Sequence, residues 1–319
     1  MDTIILTADK NAIERAAELL KAGEVVAIPT ETVYGLAANA LNPAAVEKIF
    51  TAKGRPRDNP LIVHVTDLET ARGLGLEIPE KAEGLAEKFW GGPLTMIFRK
   101  IKNIIPDEIS CGLDTVAVRA PNNAAALEII RQCGFPLAAP SANISGSPSP
   151  TEARHVFTDL HGKIPLIIDG GKCVCGLEST VIAFEGENSE KIRILRPGAV
   201  TAEQLREFVE VIIDDVVYKK AEEKPVSPGT THRHYSPKAQ VIAILTESEE
   251  DFIKYTRENK QDGDFVIAEP DAQNLFSQLR GLDEKGAKRI FARLPKPEGI
   301  GLAVYNRLIR AAEFNVIEL

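Results

Sequence analysis

Apolar positions follow two rhythms along this chain, and the switches between them mark most of the expected elements. Ala16, Leu19 and Leu20 recur at helical spacing behind an Asn11/Glu14 capping-box start, and Gly23 is placed to end that helix. Val25 to Ile28 is an unbroken apolar run of strand length, which reads as a buried strand. A helix is expected from Asn42-Pro43 to about Ala52, with proline at the first helical position and Gly54 closing it. Further strands are expected over 61–65, 94–99, 115–119, 137–139, 166–168, 178–184 and 192–195. Helices are expected over 79–90, 122–132 and 201–213, and Ser149-Pro150-Thr151-Glu152 reads as a second capping box.

The rhythm fails over 214–239, where acidic, lysine and proline residues carry no apolar period and predict a linker. Beyond it, strand-like runs at 241–245, 265–268 and 289–292 alternate with helical stretches at 249–258 and 303–312. Strands mixed with helices throughout, without internal repeats, predict α/β architecture in both units. The expected organisation is a large twisted mixed sheet with helices over 1–213, a linker over 214–239 and a small Rossmann-like α/β unit of three strands over 240–319. A chain of 319 residues, about twice a typical ~150-residue domain, fits two units.

Composition narrows the function classes. The chain is 44% hydrophobic and 26% charged, an ordinary globular balance, and 38 Lys and Arg against 46 Asp and Glu give a net charge of −8. An acidic chain does not coat nucleic acid or an anionic membrane wholesale, so any cationic site must be local and direct nucleic-acid binding weak or absent. No apolar stretch nears the ~18 residues of a membrane span and the start resembles no signal peptide, so the expected location is cytoplasmic. The four cysteines, Cys111, Cys133, Cys173 and Cys175, lack paired C-x-x-C spacing and predict neither zinc nor disulfides.

Candidate chemistry gathers in four clusters. Pro29 to Leu36 is a hydroxyl-rich run after a buried strand, where open α/β sheets place ligands. Lys53-Gly54-Arg55-Pro56-Arg57-Asp58-Asn59-Pro60 sets three cations in an irregular loop past a helix end, suited to a polyphosphate. Ala139 to Gly146 offers hydroxyls, an amide and small residues after another strand, and Ser179-Thr180 opens a strand behind a glycine-rich loop. No G-x-x-x-x-G-K-[ST] loop or complete dinucleotide fingerprint occurs.

Taken in order, the stretches PTETVYGL, KGRPRDNPLIVHV, FWGGPLT, GLDTVAVRAP, APSANISGSPSPT, GLESTV and LRPG resemble the threonylcarbamoyl-AMP synthase family, with a YrdC-type domain followed by the extra C-terminal domain of its longer members. The resemblance is close over residues 3–213. The peptide from Ser227 to Pro237 resembles the interdomain loop of the long form, departing at Thr230, where many members have Met.

The resemblance implies an L-threonylcarbamoyladenylate synthase, a nucleotidyltransferase joining L-threonine, bicarbonate or CO2, and ATP. The products would be threonylcarbamoyl-AMP and pyrophosphate, with hand-off to a downstream tRNA threonylcarbamoyl transferase. By the same analogy Lys53 and Arg55 are the catalytic pair facing the phosphates. Asn59, Thr115, Ser141, Asn143, Ser149, Arg196, His234 and Tyr235 would serve ATP, and Thr32, His64, Arg119, Ala139 and Ser179 would serve threonine. Mg2+ is expected to arrive with ATP, since no carboxylate cage is visible. The loop over 227–237 is expected to close as a lid that keeps water from a labile mixed anhydride. Two alternatives are a non-catalytic RNA-binding regulatory module and a carbamoyl-transfer enzyme of hydrogenase maturation; the missing C-x-x-C pairs argue against the second.

Overall fold

The computed structural model describes residues 2–102, 104–219 and 234–319. Residues 220–233, and with them Thr230 and most of the expected lid, lie outside the described residues. Among the described residues, no helix is long and apolar enough to cross a membrane.

The larger unit is built on a 12-stranded mixed sheet. From edge to edge the strands are Ile4–Thr7, Leu166–Asp169, Val26–Ile28, Gly35–Asn39, Leu137–Ala138, Ile62–His64, Thr115–Arg119, Leu94–Lys100, Thr180–Glu185, Lys191–Arg196 and Glu210–Ile213, with Leu76–Glu77 pairing to the side of Leu94–Lys100. Both faces of the sheet are covered. Helix Pro43–Lys53 packs Val46, Ile49 and Phe50 against Leu36, Val63 and Val118. Elsewhere, Ala16 and Leu20 of helix Lys10–Lys21 and Ile129 and Ile130 of helix Ala124–Cys133 cover Val26, Ile28, Leu166 and Ile168. The expected mixed α/β class is what the chain adopts.

Local chemistry corrects several elements. The first helix is capped by Asp9, whose carboxylate accepts Ala12 N–H at 2.9 Å, two residues before the expected Asn11. The helix expected over 201–213 stops at Arg206, and Glu210–Ile213 becomes an edge strand parallel to Lys191–Arg196. Three consecutive β-branched residues, Val211, Ile212 and Ile213, favour that outcome. Gly35–Asn39, expected to be only a ligand-bearing run, is a central strand made of small residues. A Cβ on Gly35 would stand 3.2 Å from Ala139 Cβ, so the strand lies close against its neighbour. The Ser149 capping box does not form: helix Ala153–Leu160 follows Glu152 with no side-chain cap, and the Ser149 hydroxyl donates to Glu178 instead.

The second unit is a parallel sheet in the order Asp264–Ile267, Arg289–Arg293, Gln240–Leu245, Val316–Glu318, with four strands where three were expected. It is fixed to the first through buried polar groups. Arg280 donates to both carboxylate oxygens of Asp159, at 3.0 and 2.7 Å, and to Pro148 O. Asn306 and Arg310 donate to the carbonyls of Val217 and Val216. At Gly176, φ is +73° and a Cβ would lie 2.3 Å from Gln273 O of the second unit. Gly176→Ala should therefore destabilise the protein by about 1–3 kcal/mol and loosen the interface. Thermal denaturation together with limited proteolysis checks this, and an unchanged melting temperature would show that the contact is not tight.

Candidate active site

One cavity collects most of the chemistry, and the period of a three-residue strand explains why. In Ile62–His64 and its flanks, Leu61, Val63 and Val65 point into the main core. Ile62 and His64, two apart, face the other way and line the cavity. Parallel pairing sets His64 opposite Arg119, and antiparallel pairing sets it opposite Leu137, so the Ala139-Pro140-Ser141 turn passes alongside. Ser179 and Arg196 arrive from the adjoining strands at the same end of the sheet.

Three buried guanidinium groups line this space, and each is held by backbone or carboxylate oxygen. Arg55 donates through Nε to Asn59 O at 3.1 Å and through Nη2 to Asn59 Oδ1 and Pro60 O at 2.6 and 2.8 Å. No hydrogen bond engages its Nη1 among the described residues. Burial, partly offset by Cys111, lowers its pKa to about 10, so it remains cationic at neutral pH. Arg119 donates to Gly92 O at 3.2 Å, Thr32 Oγ1 at 2.9 Å and Glu31 Oε1 at 2.6 Å. Arg196 donates to Ser179 O and Ser179 Oγ, both at 3.1 Å, and Ser179 Oγ lies 2.7 Å from Thr95 Oγ1. Against these charges the lining carries one carboxylate, Glu178. The balance favours an anionic ligand.

Lys53 stands differently from its expected place in a charged, irregular loop. It is the last residue of helix Pro43–Lys53, only 1% exposed, and does not line the cavity. Its ammonium donates to Ser141 O and to Asn143 O, the latter at 2.6 Å, and so clamps the Ser141–Asn143 turn from behind. Burial and the neighbouring Arg55 charge push its pKa well below the usual lysine value.

Of the other residues singled out by sequence, Thr32, His64, Ala139, Ser141, Asn143, Ser149, Ser179, His234 and Tyr235 line the cavity with Arg55, Arg119 and Arg196. Asn59 sits behind Arg55, its Nδ2 3.4 Å from His234 Nε2. Thr115 is not brought in: it opens strand Thr115–Arg119 and lines a separate small cavity with Ile109 and Ser110. Sequence reasoning missed Glu31, Glu178 and Ser147. Glu178 lay inside the quoted GLESTV stretch, but its cation is Arg307, 129 residues away, and no local spacing connects them. Glu31 Oε2 is buried without a hydrogen-bond partner beside Arg119. No group of three or more His, Cys, Asp or Glu able to hold a metal ion occurs among the described residues.

A family model described as "Telomere recombination" matches residues 18–198, and one described as "Threonylcarbamoyl-AMP synthase, C-terminal domain" matches residues 200–313. By its relatives the chain is an ATP-using enzyme of nucleotidyltransferase type. The threonylcarbamoyl-AMP synthase of Pyrococcus abyssi is 44% identical, the alignment covering 96% of each chain, and that of Bacillus subtilis is 42% identical over 98% of this chain and 96% of the relative. The solved structure of P. abyssi Sua5 complexed with L-threonine is 41% identical, with a TM-score of 0.88 over 100% of this chain and 99% of that one. The chain belongs to the threonylcarbamoyl-AMP synthase family. Its activity is the synthesis of threonylcarbamoyl-AMP for tRNA modification, which supersedes a non-catalytic RNA-binding role.

Two predictions follow from the buried charges. Removing the Lys53 ammonium leaves the Ser141 and Asn143 carbonyls without their donor, so Lys53→Ala should cost about 2–4 kcal/mol of stability in addition to turnover, measured by urea denaturation. A wild-type midpoint would return Lys53 to a purely ligand-directed role. Burial, then Arg119, lowers His64 to about 3, and burial, then Arg280, lowers His155 to about 4. Both imidazoles are neutral in the folded protein, whereas the unfolded chain takes up protons near pH 6.5. Their contribution is complete above that pH and is lost as pH falls toward 4, by up to about 1.4 kcal/mol per pH unit for each histidine. Denaturation midpoints at pH 7 and pH 5 should show the decline, and His64→Gln should reduce it by about half, leaving the part due to His155.

Proposed function

We propose that the cavity joins L-threonine, bicarbonate or CO2, and ATP in two steps. The neutral threonine amine forms an N–C bond with the carbon of bicarbonate, whose hydroxyl leaves with one amine hydrogen as water to give the carbamate; with CO2, that hydrogen leaves as a proton. A carbamate oxygen then forms an O–P bond to the α-phosphorus of ATP, and the bond to the β-phosphate breaks to release pyrophosphate. Neither step calls for an enzyme nucleophile, so the side chains bind, orient and exclude water. The observation that carries this reading is the gathering of Arg55, Arg119 and Arg196 around one cavity whose hydroxyl donors include Thr32, Ser141 and Ser179.

In this proposal Arg55, with its uncommitted Nη1, and Arg196 face the phosphates, and Lys53 acts by holding the Ser141–Asn143 turn. Asn143 and Ser149 complete the nucleotide side, and His234 and Tyr235 close it. Arg119, oriented by Glu31 and Thr32, takes the threonine carboxylate. His64 stays neutral, its Nδ1 3.3 Å from Ile62 O, which leaves Nε2 to meet the threonine amine or hydroxyl. Mg2+ enters as part of the ATP substrate, because Glu178 is already committed to Arg307 and Ser149 and, among the described residues, no cage of acidic groups surrounds it. The product is a mixed anhydride that water destroys, which favours direct hand-off to the transferase acting on tRNA. The free thiols Cys111, Cys133, Cys173 and Cys175 suit a reducing, cytoplasmic setting.

Pyrophosphate release with each amino acid, with and without bicarbonate, tests the reading. Release should require both L-threonine and bicarbonate. Serine should retain some activity, because a pocket discriminates one methyl by only about 1–3 kcal/mol. Equal rates with alanine or with no amino acid would overturn the assignment. Arg55→Ala should lower kcat on the order of 100- to 1000-fold, comparable to losing an oxyanion donor. Near-native turnover at saturating ATP would remove Arg55 from the phosphate side.

A further inference from the structure

Arg307 belongs to helix Ile300–Ala311 of the C-terminal unit, yet its strongest contacts reach into the catalytic unit. It is 0% exposed. Nε donates to Glu178 Oε2 at 2.9 Å and Nη1 donates to Pro197 O at 2.8 Å. The other oxygen of Glu178 accepts the Ser149 hydroxyl. The same guanidinium lies 5.2 Å from the centre of the Tyr235 ring, which in turn stacks on Phe276 at 5.4 Å. Glu178, Ser149 and Tyr235 all line the cavity, while Arg307 stands behind them. One side chain of the second unit therefore supports two walls of the site, an ionic one and an aromatic one.

We propose that Arg307 is a positioning residue, through which the C-terminal unit holds Glu178, Ser149 and Tyr235 in the arrangement that turnover requires; this rests on the reaction proposed above. Stability alone is a poor account of the pair. A buried ion pair contributes little compared with apolar residues of the same shape, and this one is directed at the cavity wall. The charged groups facing Glu178 are Arg307 and Arg196, with Lys53 beyond them. Burial pushes the Glu178 carboxyl up, and Arg307 followed by Arg196 outweighs this and holds it below the usual carboxylate range. Without Arg307 the carboxyl would take up a proton at higher pH and change what it offers to Ser149.

The test compares pyrophosphate release across pH for the wild type, Arg307→Met, Arg307→Lys and the double variant Arg307→Met/Glu178→Gln, with kcat expressed per folded molecule. Arg307→Met should lower kcat at least about tenfold at neutral pH and move the acid limb of the profile up by about one unit or more. Arg307→Lys keeps the charge and should keep the limb, but loses severalfold in kcat because one ammonium does not reproduce the fork to Glu178 and Pro197. The double variant should recover thermal stability, lose the limb and stay slow. A lower melting temperature with wild-type kcat and pH profile would overturn the proposal. If Arg307→Met does not fold, the double variant decides, since it buries no unpaired carboxylate, and wild-type kcat in it has the same force. Should the wild type itself release no pyrophosphate, the reaction assignment fails instead. Carbon-13 titration of the Glu178 carboxyl then reads the coupling without turnover: a midpoint raised in Arg307→Met supports it, and an unmoved one sinks it.

Discussion

Charge buried away from water governs this molecule. Lys53, Arg55, Arg119, Arg196 and Arg307 are all at least nine-tenths buried. A cation taken into a low-dielectric interior is tolerated only when its donors meet oxygen in good geometry. Here the oxygens come from segments in and behind the cavity wall: Ser141 and Asn143 for Lys53, Asn59 and Pro60 for Arg55, Gly92 for Arg119, Ser179 for Arg196 and Pro197 for Arg307. Satisfying the cations therefore shapes the loops. Irregular backbone that would otherwise sample many conformations is fixed before any ligand arrives, which is the form of preorganisation that favours catalysis by positioning.

The sheet supplies the frame on which this happens. Its strands of two to seven residues are too short to bind anything by themselves, but mixed pairing brings the carboxyl ends of Ile62–His64 and Thr115–Arg119 beside the amino ends of Leu94–Lys100 and Thr180–Glu185. Side chains from distant parts of the chain thus meet without long loops. Apolar cores lie on both faces of the sheet, and Val33 and Leu177 of the larger unit join the core of the second unit.

Much of this was legible in the order of residues, for physical reasons. Strands dense in Ile and Leu, such as Leu166–Asp169, and helices with a clear cap, such as Pro43–Lys53 behind Asn42, announce themselves locally. Gly35–Asn39 did not, because Gly and Ala carry no strand preference and its place is set by neighbours. Glu210–Ile213 was absorbed into a helical pattern that its β-branched residues defeat. The cavity-lining residues were readable because hydroxyl and cationic groups cluster in irregular segments. Lys53 was misplaced because sequence shows a charge next to a loop, while the helix register that turns it inward is a tertiary fact. Glu178 was passed over because a carboxylate has no meaning until its cation is known, and that cation lies in the other unit.

The dependence of Glu178 on Arg307 has an evolutionary face. Two positions 129 residues apart share one electrostatic account, so neither can drift alone: a neutral residue at one exposes the full desolvation cost at the other. Within this chain the two units are therefore electrostatically matched. Recombination that joins this catalytic unit to the second unit of a distant relative would succeed or fail on whether a guanidinium is delivered beneath Glu178, even if every residue facing the substrates were kept.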